Sequence, residues 1–426
     1  MKLEVGYILI RDIRFADESA VKDGVLFVNA KELESLILED EHLASVSFDV
    51  ARPGESVRIT PVKDVIEPRA KVEGPGDVFP GVITKVKTVG SGKTHVLRGA
   101  AIVTVGKIVG FQEGIIDMTG PGADYTPFSA TVNLVIGFTP RDGLSAHEYE
   151  AAIRKAGLKA AYALGKLGVG AVADETKTYD FPSLMEGIKD FPDLPRVGYV
   201  QMLQSQGLLH DTYVYGVDMK QSLTTMLSPT EVMDGAILSG NCVSACDKNT
   251  TYHHQNNPVI EDLFEQHGKT LNFAAMIITN ENVYLADKER SSDWTAKLVG
   301  YLGLDGVVIS QEGFGNPDTD LIMNCKKIEA IGTHTVLITD EYAGRDGASQ
   351  SLADADPSAN AVVTGGNANQ VVTLPKLDRV IGTLEYTGQI AGGFAGNISG
   401  DGSITVELQA ITGATNELGY NRLSAR

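Results

Sequence analysis

Four short apolar runs in the second half of the chain constrain its fold more than any other feature. They are Leu271-Asn272-Phe273-Ala274-Ala275-Met276-Ile277-Ile278, Val307-Val308-Ile309, Thr335-Val336-Leu337-Ile338 and Ala361-Val362-Val363. Strands this continuously apolar are buried on both faces, which requires helices above and below the sheet. The intervening residues predict those helices: Asn257-Pro258 to Gly268, Asp287 to Leu302, and Asn316-Pro317 to Ile331. Such alternation predicts an α/β fold, with a doubly wound, mostly parallel sheet in the C-terminal part. Ligands bind such sheets outside the carboxyl ends of the strands. Here those ends carry Glu281, Glu312 and Asp340, able to hold an ammonium, and Arg345 nearby, able to pair with a carboxylate. An amino acid presents that combination of charges. Residues of these types are also ordinary at turns and caps.

The N-terminal part reads differently. Residues 1–140 are strand-rich, with alternation at Leu3, Val5, Tyr7 and Leu9 and again over Val46-Ser47-Phe48-Asp49-Val50. Asn29 caps a short helix over residues 31–38. Gly-Pro and Pro-Gly pairs punctuate the strands. Residues 141–241 form a mixed segment: a helix with a Ser145/Glu148 capping box ended by Gly168, a strand over 197–204, and a helix from Ser228-Pro229 running into Gly240. Residues 242–426 complete the α/β part. Gly90-Ser91-Gly92-Lys93-Thr94 imitates the end of a phosphate-binding loop, but Lys87 stands where the pattern needs glycine, and a strand follows in place of a helix.

Composition narrows the function. A net charge of −19 opposes nucleic-acid binding, whose phosphates require Lys and Arg. No apolar run spans a bilayer, and Met1-Lys2-Leu3-Glu4-Val5 does not read as a signal peptide. Three cysteines in 426 residues form no disulfide framework and favour a reducing cytoplasm.

Two of the three, Cys242 and Cys246, lie in Ser239-Gly240-Asn241-Cys242-Val243-Ser244-Ala245-Cys246-Asp247, and a polar tract with His253 and His254 follows. Three readings compete for Cys242. It is a small loop thiol; or, with Cys246, His253 and His254, a metal ligand, although the spacing departs from zinc sites; or the nucleophile of a self-cleavage. In the last case the thiol attacks the carbonyl carbon of Asn241. Elimination and hydrolysis then leave a ketone-bearing pyruvoyl end, an electron sink able to form a Schiff base with an amine. The flexible Gly240 and the end of the preceding helix would leave the bond exposed enough to rearrange. Cys246, His253 and His254 are near enough in sequence to assist proton transfers.

Cys242-Val243-Ser244-Ala245-Cys246-Asp247-Lys248, with His254-Gln255-Asn256-Asn257-Pro258-Val259-Ile260, resembles the processing region of a known proprotein family. This is the alpha/beta precursor of component B of the glycine, sarcosine and betaine reductase complexes. The resemblance extends over residues 23–29, 51–59, 110–118, 338–347 and 405–417, without departure at these positions. It implies cleavage between Asn241 and Cys242, a pyruvoyl cofactor made from Cys242, and reductive C–N cleavage of an amino acid. It also implies a hetero-oligomer with a selenocysteine-containing partner subunit of component B and a small selenoprotein A. Glycine is the expected substrate, since betaine has no N–H with which to condense; sarcosine and betaine reductases are the alternatives within the family. An amidohydrolase with an N-terminal cysteine and an uncleaved scaffold subunit are the alternatives outside it.

Overall fold

The computed structural model describes residues 1–108, 113–207, 209–240, 249–418 and 424–425. Asn241, Cys242 and Cys246 lie outside them. The architecture is α/β, a strand-rich N-terminal part followed by a parallel sheet with helices on both faces.

Five parallel strands form the middle of the seven-stranded sheet: Asn272–Glu281, Arg196–Gln204, Gly306–Ser310, His334–Glu341 and Val362–Asn367, in that spatial order. Short antiparallel strands, Thr225–Leu227 and Ser424–Ala425, close its edges. Counted along the chain, the five lie in the order 2-1-3-4-5. The winding therefore reverses between Arg196–Gln204 and Gly306–Ser310, the point at which sheets of this kind form their ligand crevice. The covering helices confirm it. Val259, Ile260 and Leu263 of helix Pro258–Gln266 share a core with Tyr199, Met276 and Ile278. Helices Leu285–Leu302 and Asn316–Glu329 bury Val299, Leu321 and Cys325 against Val200, Ile277 and Ile309 on the other face.

The N-terminal part contains a four-stranded and a six-stranded sheet. Helix Ala146–Gly165, started by the Ser145/Glu148 capping box, packs Ile153, Ala156 and Ala160 into a core with Ile66, Ile102 and Leu134. Strand Val57–Ile66, buried along its whole length, runs through the six-stranded sheet. The Gly92–Arg98 segment is a strand, so no helix N-terminus follows the Gly-Ser-Gly-Lys-Thr turn. No described helix is long and apolar enough to cross a membrane.

Two local expectations change. The helix begun by Ser228-Pro229 stops at Met233, and Gly235, at φ +80°, turns the chain into strand Ile237–Leu238. The polar tract after Cys246 is helical at Thr251–Gln255, and all five of its residues are buried.

Candidate active site

Strand Ile237–Leu238 pairs with Tyr213–Val214 and delivers Gly240 against the main chain of Asp211. A Cβ at Gly240 would stand 1.7 Å from the Asp211 carbonyl oxygen, so only glycine fits there. The segment leading to Asn241 is thereby buried, where exposure was expected from a helix end.

Strand Val57–Ile66 holds the two flanks of residues 241–248 with adjacent side chains. Lys63 Nζ donates to the Gly240 carbonyl at 3.1 Å. Asp64 accepts from Thr251 N at 2.9 Å and Thr251 Oγ1 at 2.7 Å, and Thr251 Oγ1 in turn accepts from Ser239 N at 3.2 Å. Lys63 is buried and needs a counter-charge. Glu150 supplies it at 3.1 Å, and Arg154 and His210 lie 3.2 and 3.3 Å from the same carboxylate. Burial pushes the Glu150 carboxyl up, but the charges of Arg154, Lys63 and His210 outweigh it and hold it below the ordinary value. Asp64 has less compensation, and burial raises it.

The helix Thr251–Gln255 reaches from this clamp to the crevice. His254 Nε2 meets Glu312 Oε1 at 3.1 Å, and its Nδ1 lies 3.3 Å from Gln201 Nε2. The neutral tautomer protonated on Nε2 satisfies both contacts. The other Glu312 oxygen accepts from Gln204 N at 2.8 Å and from Thr212 Oγ1 at 2.6 Å. Glu281 accepts from Glu312 N at 2.6 Å, and burial together with the Glu312 charge pushes its carboxyl well above the usual range. Thr212 adjoins Asp211, against which Gly240 packs. The flank preceding Asn241 and the His254–Glu312 pair thus meet at the point where the sheet reverses its winding. A histidine in contact with a carboxylate is a means of holding and moving a proton.

The remaining predicted residues have other partners. His253 is fully buried with Nδ1 2.9 Å from Thr250 Oγ1 and its ring edge-on to Phe128; burial lowers its pKa to about 3. Asp340 accepts from Thr415 Oγ1 at 3.1 Å. Arg345 donates to Glu407 at 2.6 Å and lies over the Phe394 ring. Glu281, Glu312 and His254 are brought together, while Arg345 is engaged elsewhere. Lys63, Asp64, Glu150, Gln201 and Thr212 escaped the sequence reading. The signal available for the first two was a Lys-Asp pair inside the otherwise apolar run Val62-Lys63-Asp64-Val65-Ile66. Among the described residues no group of three or more His, Cys, Asp or Glu side chains is placed to hold a metal ion.

The profile of the glycine/sarcosine/betaine reductase component B subunits matches residues 1–426. The glycine reductase complex component B subunits alpha and beta of Acetoanaerobium sticklandii are 65% identical over 428 aligned residues, covering 100% of both chains. Those of Peptoclostridium acidaminophilum are 65% identical over 426 residues, again covering 100% of both. The sarcosine reductase complex component B subunit alpha of the latter organism is 58% identical, also over 100% of both chains. No solved structure matches the chain. On these grounds the chain belongs to the family of glycine/sarcosine/betaine reductase component B subunits, and it is an oxidoreductase component.

Proposed function

We propose that this chain is the self-cleaving precursor of a pyruvoyl-dependent glycine reductase subunit, cut between Asn241 and Cys242 into fragments of residues 1–241 and 242–426. The observation that carries the reading is the clamp by strand Val57–Ile66, which holds the flanks of residues 241–248 through Lys63 and Asp64 beside the sheet's crevice. Ends held independently remain in place when the bond between them breaks.

The chemistry balances without an oxidant. The Cys242 thiol adds through sulfur to the Asn241 carbonyl carbon, the amide C–N bond breaks, and the nitrogen takes the thiol proton, leaving a thioester and a free amine. Loss of the Cα proton and departure of the thiocarboxylate from Cβ leave a dehydroalanine end. Water then releases ammonia and leaves the ketone, and a second water converts the thiocarboxylate to carboxylate and sulfide. The pyruvoyl group so formed supplies an electron sink for a substrate amine. In the crevice, His254 holds a proton on Nε2 against Glu312, and Glu281, its carboxyl pushed up by burial, keeps the main chain of Glu312 in place. Asp340 and Arg345 remain proposed contacts for the substrate, and Cys246 and His253 proposed helpers of cleavage.

Glycine is favoured over its N-methylated relatives because two relatives named as glycine reductase components are 65% identical and the sarcosine reductase one 58%. The C–N cleavage uses selenium chemistry from a partner subunit and a small selenoprotein, in a cytoplasmic hetero-oligomer. Intact mass spectrometry with hydrazine labelling tests the reading. We expect two fragments, the C-terminal one trapped by hydrazine, and a single uncut chain for Cys242→Ala. A fragment that keeps an N-terminal cysteine and ignores hydrazine points to an amidohydrolase; one full-length species points to a scaffold.

A further inference from the structure

We infer that Gln201 is the positioning residue of the His254–Glu312 pair: its side-chain amide holds the ring proton on the nitrogen facing Glu312, and by rotating it accommodates a second proton on the other. The use of this pair in the reaction rests on the reading above, whereas the proton assignment stands on the geometry alone. All three side chains are buried, Gln201 at 1% exposure and His254 and Glu312 at 0%. Gln201 lies in strand Arg196–Gln204, laddered to Ile278 on one side and Ser310 on the other, so its main chain is fixed from both flanks. Its Nε2 is 3.3 Å from His254 Nδ1, and the opposite ring nitrogen is 3.1 Å from Glu312 Oε1. An amide N–H donates only to a bare ring nitrogen, so Nδ1 is unprotonated and the ring proton sits on Nε2. The Gln201 oxygen is buried with no hydrogen-bond partner among the described residues. A buried acceptor left open calls for a reason, and the ring supplies one. The terminal torsion of glutamine is broad and two-fold, so a half-turn exchanges nitrogen and oxygen without moving the strand. Oε1 then accepts from a protonated Nδ1 while Nε2–H stays on Glu312, and the imidazolium has an acceptor at each end. Other charged and titratable groups near the pair have partners of their own. Glu281 accepts from Glu312 N, Tyr199 meets Ser310 Oγ, His253 meets Thr250, and Asp211 pairs with Lys220. On the elements packed against the His254 helix, Lys63, Asp64 and Glu231 engage Glu150, Thr251 and Tyr215, and strand Ile237–Leu238 brings no charge.

NMR of the full chain carrying ¹⁵N-labelled histidine tests this, with the His254 ring assigned by its loss in His254→Asn. In its neutral form the parental ring should carry the proton on Nε2, and acidification should convert it to the imidazolium. Gln201→Met removes both amide contacts. The bond from a charged ring is the stronger of the two, so the titration midpoint of His254 should fall by about one pH unit, tenfold in proton affinity. Gln201→Glu sets a carboxylate against Nδ1 and should move the midpoint up instead. A glutamine that merely fills the core would lower the melting temperature of both variants and leave the midpoint at its parental place. Midpoints equal to the parent's, shifts of one sign in both variants, or a neutral parental ring protonated on Nδ1 would each overturn the inference. If Gln201→Glu does not fold, Gln201→Met decides the matter by itself. Intact mass of the same samples reads cleavage separately: opposite shifts in a chain that is never cut leave the Gln201 assignment standing and overturn the cleavage reading.

Discussion

His253 and His254 are neighbours in sequence and face opposite environments. His254 meets Glu312 in the crevice, whereas His253 lies in an apolar wall against Phe128. Burial takes the His253 pKa from 6.5 to about 3, so the folded protein resists its protonation. The unfolded chain therefore takes up that proton first as pH falls, and this contribution to stability drains away between pH 6.5 and about 3. His253→Asn, which retains an acceptor for Thr250, should melt below the parent near neutral pH, and the gap should narrow at about pH 5. Glu312 gathers bonds from three separate segments of the chain. Glu312→Ala leaves Gln204 N, Thr212 Oγ1 and His254 Nε2 without their acceptor in a dry site. At about 1 kcal/mol or more for each stranded donor, it should destabilise the fold by at least about 3 kcal/mol, measured as a fall in the denaturant midpoint.

Among the elements, helix Ala146–Gly165 shows how close packing overrides propensity. Alanine is a better helix former than glycine by about 1 kcal/mol, so Gly165→Ala would stabilise an isolated helix. Here the added Cβ would come within 2.4 Å of the Arg69 carbonyl oxygen, which belongs to main chain and cannot rotate aside. The variant should therefore melt lower than the parent, the reverse of the propensity expectation. Helix Thr251–Gln255 makes the complementary point. Five residues are too few for a stable isolated helix. It persists because Thr250 caps it, Asp64 binds its first N–H and side-chain hydroxyl, and the core closes around it. Its polar sequence reads as loop because burial of Thr, His and Gln is permitted only by partners distant in the chain.

At the scale of the whole molecule, the proposed fragments are interleaved. Strand Arg196–Gln204 pairs in parallel with Asn272–Glu281 on one side and Gly306–Ser310 on the other. Strand Arg379–Gly382 joins Val57–Ile66 in the six-stranded sheet. Separating residues 1–241 from 242–426 would break these ladders and expose both cores. Cleaved protein should consequently elute from a sizing column as one species containing both fragments, and denaturant should be needed to part them. Elution of the fragments apart under native conditions would contradict this.

What the sequence determined by itself was the parallel sheet of the second half and most of its helices, because burial on both faces leaves uninterrupted apolar runs that need no partner to be read. It also held the capping box at Ser145 and Glu148, whose contacts span three residues. The site was another matter. His254 and Glu312 stand 58 residues apart, and Lys63 and Gly240 are separated by 177. Their meeting depends on the reversal in strand order and on Lys63 and Asp64 of Val57–Ile66 reaching both Gly240 and Thr251. No local pattern encodes such a meeting, since a buried charge is tolerated only where the tertiary fold brings its partner to it.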